Sequence, residues 1–327
     1  MTGSTREAAP PPAADPRPAL SVVVVAHHMN RVLPRTLRSL SSSYQRGIDS
    51  RDYEVRVMDN GMADRVDDAM VRSFGPRFFC DRVEPARPSP AIAANAGIAL
   101  SRGDVVGMML DGARLASPGL LASAMLAMRL SERAVVATLG WHLGRKPQFF
   151  SVKRGFDAKA EQRLLESVRW PEDGYRLFEI ACLGGSYRAG WFGPIFESSA
   201  LFLRRSLWNE LSGFDVRFDE PGGGLLNLDL YRRACEAPGI LLVVLLGEGT
   251  FHQLHGGVAS ERPWRDLLKK WSEWNAQYER LTGRPFEPPK IRPVLFGRAH
   301  PAVLPLLDRS LRPAARRARP GEDPWTG

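Results

Sequence analysis

The run Leu20 to Val25 limits the fold more than any other segment, because Val22-Val23-Val24-Val25 is β-branched and unbroken by polar side chains. A strand that is apolar on both faces must be covered on both. That requirement points to a parallel sheet between helices rather than an antiparallel sheet with one wet face. The rest of the first half repeats the theme. A helix is expected from Arg31 to Ser42, with Leu33, Leu37 and Leu40 on one face. Further strands are expected at Tyr53–Met58, Phe78–Val83, Asp104–Leu110 and Ala134–Leu139, and further helices at Asp64–Phe74, Ala91–Ser101 and Pro118–Ser131. Strands alternating with helices at this spacing imply parallel pairing with right-handed crossovers.

The second half is less regular. Residues 141–195 are rich in Gly, Arg and aromatic residues and carry no clean period. Beyond them, strands are expected at Ser198–Leu203 and Ile240–Leu246. Helices are expected at Arg204–Leu211, at Asn227–Cys235 and at Pro263–Leu281, the last with Trp264, Leu267, Leu268, Trp271, Trp274 and Tyr278 near 3.6 spacing. The organisation read from this is an Ala/Pro-rich, disordered residue 1–19 segment, one α/β domain over 20–258, an amphipathic helix in 259–288 and an Arg/Pro-rich tail over 289–327.

Charge and cysteine content bear on partners and compartment. The 327 residues carry a net charge of +9. Residues 284–327 alone hold nine basic groups against four acidic ones. That bias suits peripheral contact with an anionic membrane, or equally a solvated tail. Because no aromatic residues interleave with Arg309 to Arg319 to stack bases, nucleic acid is not expected as a partner. Cys80, Cys182 and Cys235 lie far apart without a C-x-x-C, which fits a reducing cytoplasm. The first twenty residues do not read as a secretory signal, and no run reaches the roughly 18 apolar residues of a membrane span.

Asp59 and Asp111 each follow an apolar strand directly. In open parallel sheets, ligands bind outside the carboxyl ends of the strands, so both carboxylates are expected to open on one crevice. There they could accept hydrogen bonds from a nucleoside or bind a divalent cation with a diphosphate. As isolated turn residues they would need no function.

With these residues in view, the chain resembles the family 2-type glycosyltransferases of the GT-A fold. The resemblance rests on Ser21–Val25, Arg35–Leu40, Tyr53–Gly61, Ala94-Asn95-Ala96-Gly97, Arg102-Gly103-Asp104, Met109-Leu110-Asp111-Gly112, Ser117-Pro118-Gly119 and Gly213-Phe214-Asp215. It covers roughly residues 21 to 258. It implies a GT-A-like (Rossmann-like), mostly parallel sheet flanked by helices, followed by a C-terminal helix and basic tail. It also implies transfer of a sugar from a nucleotide-sugar donor to a hydroxyl of a glycan or lipid-linked acceptor, with inversion. Donor contacts would come from Asp59, Asn95 and Asp111. Asp111 would be the first position of the D-x-D motif that places a Mn²⁺ or Mg²⁺ on the diphosphate, absorbing charge on the leaving group.

Three departures from that pattern stand out. Ala113 occupies the third D-x-D position, Leu226-Asn227 falls where an acidic pair is usual, and Ala26-His27-His28-Met29-Asn30 replaces Pro-x-Tyr-Asn. His252 or His255 could complete a metal site with Asp111. Either could instead bind the diphosphate directly, or be a satisfied buried histidine. Asp229 is the first choice of general base and Glu248 the second, although an Asp in a first helical turn also suits the helix dipole. Trp191 and Glu197 would contact the acceptor, with core packing equally open for Trp191. Two rival functions remain: a catalytically degenerate module that binds nucleotide-sugar or glycan without turnover, and a nucleotidyltransferase. The second lacks a Gly-rich, basic loop after the first strand.

Overall fold

A computed structural model of the chain describes residues 16–61, 64–257, 261 and 264–317. Most of the Ala/Pro-rich start and the last ten residues of the basic tail lie outside the described residues. Ten strands form one sheet: β1 (Leu20–Ala26), β2 (Tyr53–Asp59), β3 (Phe78–Arg82), β4 (Val105–Met109), β5 (Arg114–Ala116), β6 (Ala134–Leu143), β7 (Ala181–Leu183), β8 (Leu201–Arg204), β9 (Leu241–His252) and β10 (Val294–Gly297). The helices are α1 (Leu33–Leu40), α2 (Asp68–Arg72), α3 (Ala91–Leu100), α4 (Leu120–Ala127), α5 (Gln148–Ser151), α6 (Ala158–Ser167), α7 (Arg205–Glu210), α8 (Leu226–Glu236), α9 (Trp264–Thr282) and α10 (Leu304–Arg317).

The sheet order is β10-β9-β6-β8-β4-β1-β2-β3, with β5 added to β9 and β7 to β6. It is mostly parallel. β8 runs antiparallel between β4 and β6, and the short β5 and β7 pair antiparallel with their neighbours. The valine run of β1 explains itself here. Val22 and Val24 join the core under α1 and α4, while Val23 and Val25 join the core on the α3 and α8 face. Each side chain buried this way contributes about 1.5–3 kcal/mol.

Several elements differ from expectation, and β6, expected to stop at Leu139, runs on to Leu143. The helix expected over Asp64–Phe74 is the single turn and a half of α2, begun by Asp67, whose carboxylate accepts from Ala69 N at 2.9 Å. The strand expected to stop at Leu246 continues to His252. Gly247, at φ +80°, lets it turn past Arg298, whose carbonyl oxygen would lie 2.3 Å from any Cβ. Beyond that glycine the strand pairs anew with β5 and β6. The 3.6-spaced helix is present as α9. Its Trp274 packs against Gly224, its Tyr278 against Phe218, and its Gln277 Nε2 donates to Asp219 Oδ1 at 2.8 Å. In the segment read as a tail, β10 extends the sheet parallel to β9, and α10 buries Leu306, Ser310 and Ala314. Among the described residues, no helix is long and apolar enough to cross a membrane.

Candidate active site at the carboxyl rim of the sheet

The carboxyl ends of β1, β2, β4, β6 and β9 open on one cavity of about 990 Å³. Among the described residues lining it, Asp111 and Glu197 are the two carboxylates. Asp111 stands just past β4, its side chain about a quarter exposed, and accepts from Ala113 N at 3.0 Å. That turn leads straight into β5, which crosses to β9 and places Arg114 in register with His252. On the other side of β9, His252 is in register with His142. Arg114, His252 and His142 therefore form one row across three strands, with Asp111 above it.

His252 Nε2 is 3.0 Å and His255 Nε2 3.6 Å from the Asp111 carboxylate, and the two imidazole nitrogens are 3.2 Å apart. One ligand atom from each of the three residues falls within 4.8 Å of the others. Carboxylate plus two imidazoles suits Mn²⁺ or a similar divalent cation. The donor set is also prepared for one. His252 Nδ1 donates to Gln148 Oε1 at 2.5 Å, and Gln148 Nε2 returns a bond to the His252 carbonyl at 3.0 Å. The fully buried Gln148 thereby fixes the ring with Nε2 facing Asp111.

The electrostatics agree with this assignment. Burial alone would raise the Asp111 carboxyl, but His252, His255 and Arg114 outweigh it and hold it well below the usual carboxylate range. Burial, and then its neighbours His252 and Arg114, pushes His142 well below the ordinary imidazole value. Burial likewise lowers His255. An ionised carboxylate and a lowered His255 imidazole suit metal ligation, which needs deprotonated ligands. Arg114 Nε pairs with Asp111 Oδ2 at 3.3 Å. Its Nη1 is buried without a partner, and the 3 % exposed Tyr187, whose hydroxyl neighbours Ser199, lies in the same wall.

The segment carrying the histidines is held from behind. Gln253 N donates to Ala113 O at 2.8 Å. Leu254 N donates to Glu161 Oε2 at 2.6 Å, Arg35 Nη1 lies 3.4 Å from Glu161 Oε1, and Arg31 donates to Leu254 O. Glu161 is fully buried, and that burial raises its carboxyl to about 7 despite those partners.

Of the residues singled out from sequence, Asp111, His252, His255 and Glu197 meet in the cavity. The others do not. Asp59 ends β2 at the same rim, but it is 1 % exposed and not in the lining. Its carboxylate accepts from Gly61 N at 3.0 Å and Val66 N at 3.2 Å and pairs with Arg82. The two strand-end acids thus share an edge of the sheet without sharing the crevice. Asn95 is a clamp: its amide donates to Phe214 O and accepts from Phe214 N, both at 2.8 Å, holding the Gly213-Phe214-Asp215 turn. Trp191 is fully buried against Trp141 and donates to Leu245 O at 2.9 Å, so packing, not acceptor contact, explains it. Asp229 is 4 % exposed and bonded to Arg233 Nε at 2.7 Å, on a side of α8 that leaves Asn227 and Leu228, not itself, in the cavity wall. Glu248 is buried under the Ser117–Gly119 turn, accepting from Ser117 Oγ and from Tyr175 Oη at 2.7 Å. Burial raises the carboxyls of both Asp229 and Glu248.

Sequence reasoning missed Arg114, His142, Gln148 and Tyr187. Arg114, three residues past Asp111, carried a readable signal in its spacing. Gln148 lies in the aperiodic stretch and carried none.

The chain has the GT-A glycosyltransferase fold. A mannosyltransferase from Pyrobaculum calidifontis, solved with GDP-mannose and Mn²⁺, superposes with a TM-score of 0.51 at 16% identity, over 94% of this chain and 75% of that one. Glucosyl-3-phosphoglycerate synthase from Mycobacterium tuberculosis, solved with Mn²⁺, UDP and glucosyl-3-phosphoglycerate, gives 0.48 at 19% identity, over 83% and 82%. TarS from S. aureus gives 0.47 at 12% identity, over 72% of this chain, which spans 36% of the length of TarS. The sequence matches no family model and no curated protein.

Proposed function

We propose that the protein transfers a sugar from a nucleotide-sugar donor to an acceptor hydroxyl. The observation that carries this reading is the Asp111–His252–His255 cluster at the rim of a GT-A sheet, inside a cavity with room for both substrates. A divalent cation held there would neutralise charge that builds on the departing diphosphate. Two imidazoles would thus stand in for the carboxylate absent at Ala113. Arg114 would add its own positive charge beside Asp111, and its free Nη1, with the Tyr187 hydroxyl, supplies donors for phosphate oxygens.

Glu197 is the group best placed to take the acceptor proton. It is the second carboxylate of the lining, and Asn227 Nδ2 fixes its Oε2 at 2.7 Å. A single displacement assisted by this base inverts the anomeric centre. Its base role replaces those expected of Asp229 and Glu248, whose side chains are committed elsewhere.

The test is incubation of the purified protein with UDP-, GDP- and dTDP-sugars, with and without Mn²⁺. Turnover that needs Mn²⁺ and disappears in Asp111→Ala supports the transferase. Ala113 and Asn227, at positions usually acidic, favour the second reading, a module that binds without turnover. Donor binding with no turnover on any acceptor would decide for it.

A further inference from the structure

Next to the histidine cluster lies a backbone arrangement that the reading above does not use. The N–H groups of His255, Gly256 and Gly257 all donate to one oxygen, Glu261 Oε1, at 2.6, 2.6 and 3.0 Å. Gly256 has φ +89°, and a Cβ built there meets nothing within 4 Å. Glycine is therefore required by the backbone conformation and not by lack of space. Successive amides converging in this way form a nest, a concavity of partial positive charge that holds anionic oxygens.

Its location gives the nest a chemical meaning. His255, Gly256 and Gly257 line the same cavity as Asp111. His255 offers its ring nitrogen to the metal cluster and its N–H to the nest, so an anion in the nest lies beside a cation in the cluster. Independently, Arg114 Nη1 is buried and unpartnered in the wall of that cavity. The backbone amides and the unused Arg114 Nη1 thus line one cavity with the cation cluster. A multiply charged oxyanion matches that chemistry better than a neutral sugar does.

We infer that the nest of residues 255–257 is a subsite for a phosphate group of the donor, and that Glu261 is its internal competitor. The inference rests on the donor reading above. A carboxylate brings one charge to the nest. A diphosphate brings more, and a cation held by the cluster would add attraction for it, so it would displace Glu261 when both ligands are present. Until then, apparent affinity is reduced by the fraction of molecules in which the nest is occupied.

The experiment measures binding of inorganic pyrophosphate in the presence of Mn²⁺, by calorimetry, to the full chain and to Glu261→Gln and Glu261→Ala. Both variants are expected to bind pyrophosphate about tenfold more tightly, the factor for a nest open in about one molecule in ten. Their affinity for Mn²⁺ alone should stay unchanged. Equal or weaker pyrophosphate binding overturns the inference. So does a loss of Mn²⁺ affinity in the variants, which would make Glu261 a support for His255. The donor reading fails separately. If UDP, GDP and dTDP all fail to displace pyrophosphate, the nest stands and the nucleotide-sugar donor falls. If they bind the wild type and both variants alike, the donor stands and the competitor falls.

Discussion

His252 Nε2 lies 3.0 Å from Asp111 Oδ2, although β6 and β8 separate the strands that carry them. The short β5 closes that gap. It leaves the Asp111 turn, crosses the rim and pairs with the end of β9, opposing Arg114 to His252. The site is therefore a product of strand register, and its parts respond to mutation through the strands that hold them.

Gln148→Leu removes the acceptor that fixes the His252 tautomer while leaving all three cluster residues in place. The expected result is a Mn²⁺ affinity weaker by roughly 10- to 100-fold, as for other outer partners of a ligating histidine. Titration calorimetry with Mn²⁺ measures it. Unchanged affinity would remove Gln148 from the site.

Glu197→Gln preserves shape and the bond to Asn227 but cannot accept a proton. Turnover should fall roughly 10²- to 10⁴-fold, with donor KM nearly unchanged. Asp229→Asn, on the Arg233 side of α8, should keep most of its turnover and lose about 1 kcal/mol of stability. Initial rates and denaturation of the two variants separate the roles. The opposite pattern would restore Asp229 as base.

Glu161 makes stability depend on pH in a definite direction. Its carboxyl rises on folding from an ordinary value near 4.5 to about 7. The folded state therefore binds its proton more tightly than the unfolded state does. The contribution is complete below about pH 4.5 and is lost as pH rises to about 7. Glu161→Gln cannot titrate and should flatten that decline by about 2 kcal/mol between pH 5 and 8. Urea denaturation at both values reads the difference, and an unaltered slope would exclude Glu161 as its source.

Gly213→Ala should be strongly destabilising. Its φ is +61°, and a Cβ there would lie 2.4 Å from Asn95 Oδ1. Asn95→Ala loses both bonds to Phe214 and should cost about 2 kcal/mol. Neither change should alter donor KM beyond the loss of folded protein. A selective rise in donor KM for Asn95→Ala, in folded protein, would return Asn95 to the donor site.

What was legible in the sequence followed from local chemistry. The valine run required burial on both faces, and the structure places β1 between β2 and β4 under two helical layers. The break at Gly247-Glu248-Gly249 looked like a strand end because periodicity fails there. The strand continues because partners far along the chain, β5 and the end of β6, accept its second half. Acidic residues after strands marked the rim but not their own orientation, since Asp59 is turned inward by the amides of Gly61 and Val66.

By itself, then, the sequence determined the alternation of strands and helices and the strand end that carries Asp111, because spacing and apolar runs act over a few residues, and it singled out Asp111 and the two late histidines as candidates. Only the tertiary structure decided which carboxylates reach the cavity and which hold turns. Glu248 is committed to Ser117 and Tyr175, Asn95 to Phe214, and Glu161 to Leu254. A side chain's role depends on the polar groups that burial forces it to satisfy, and those partners come from segments distant in the chain.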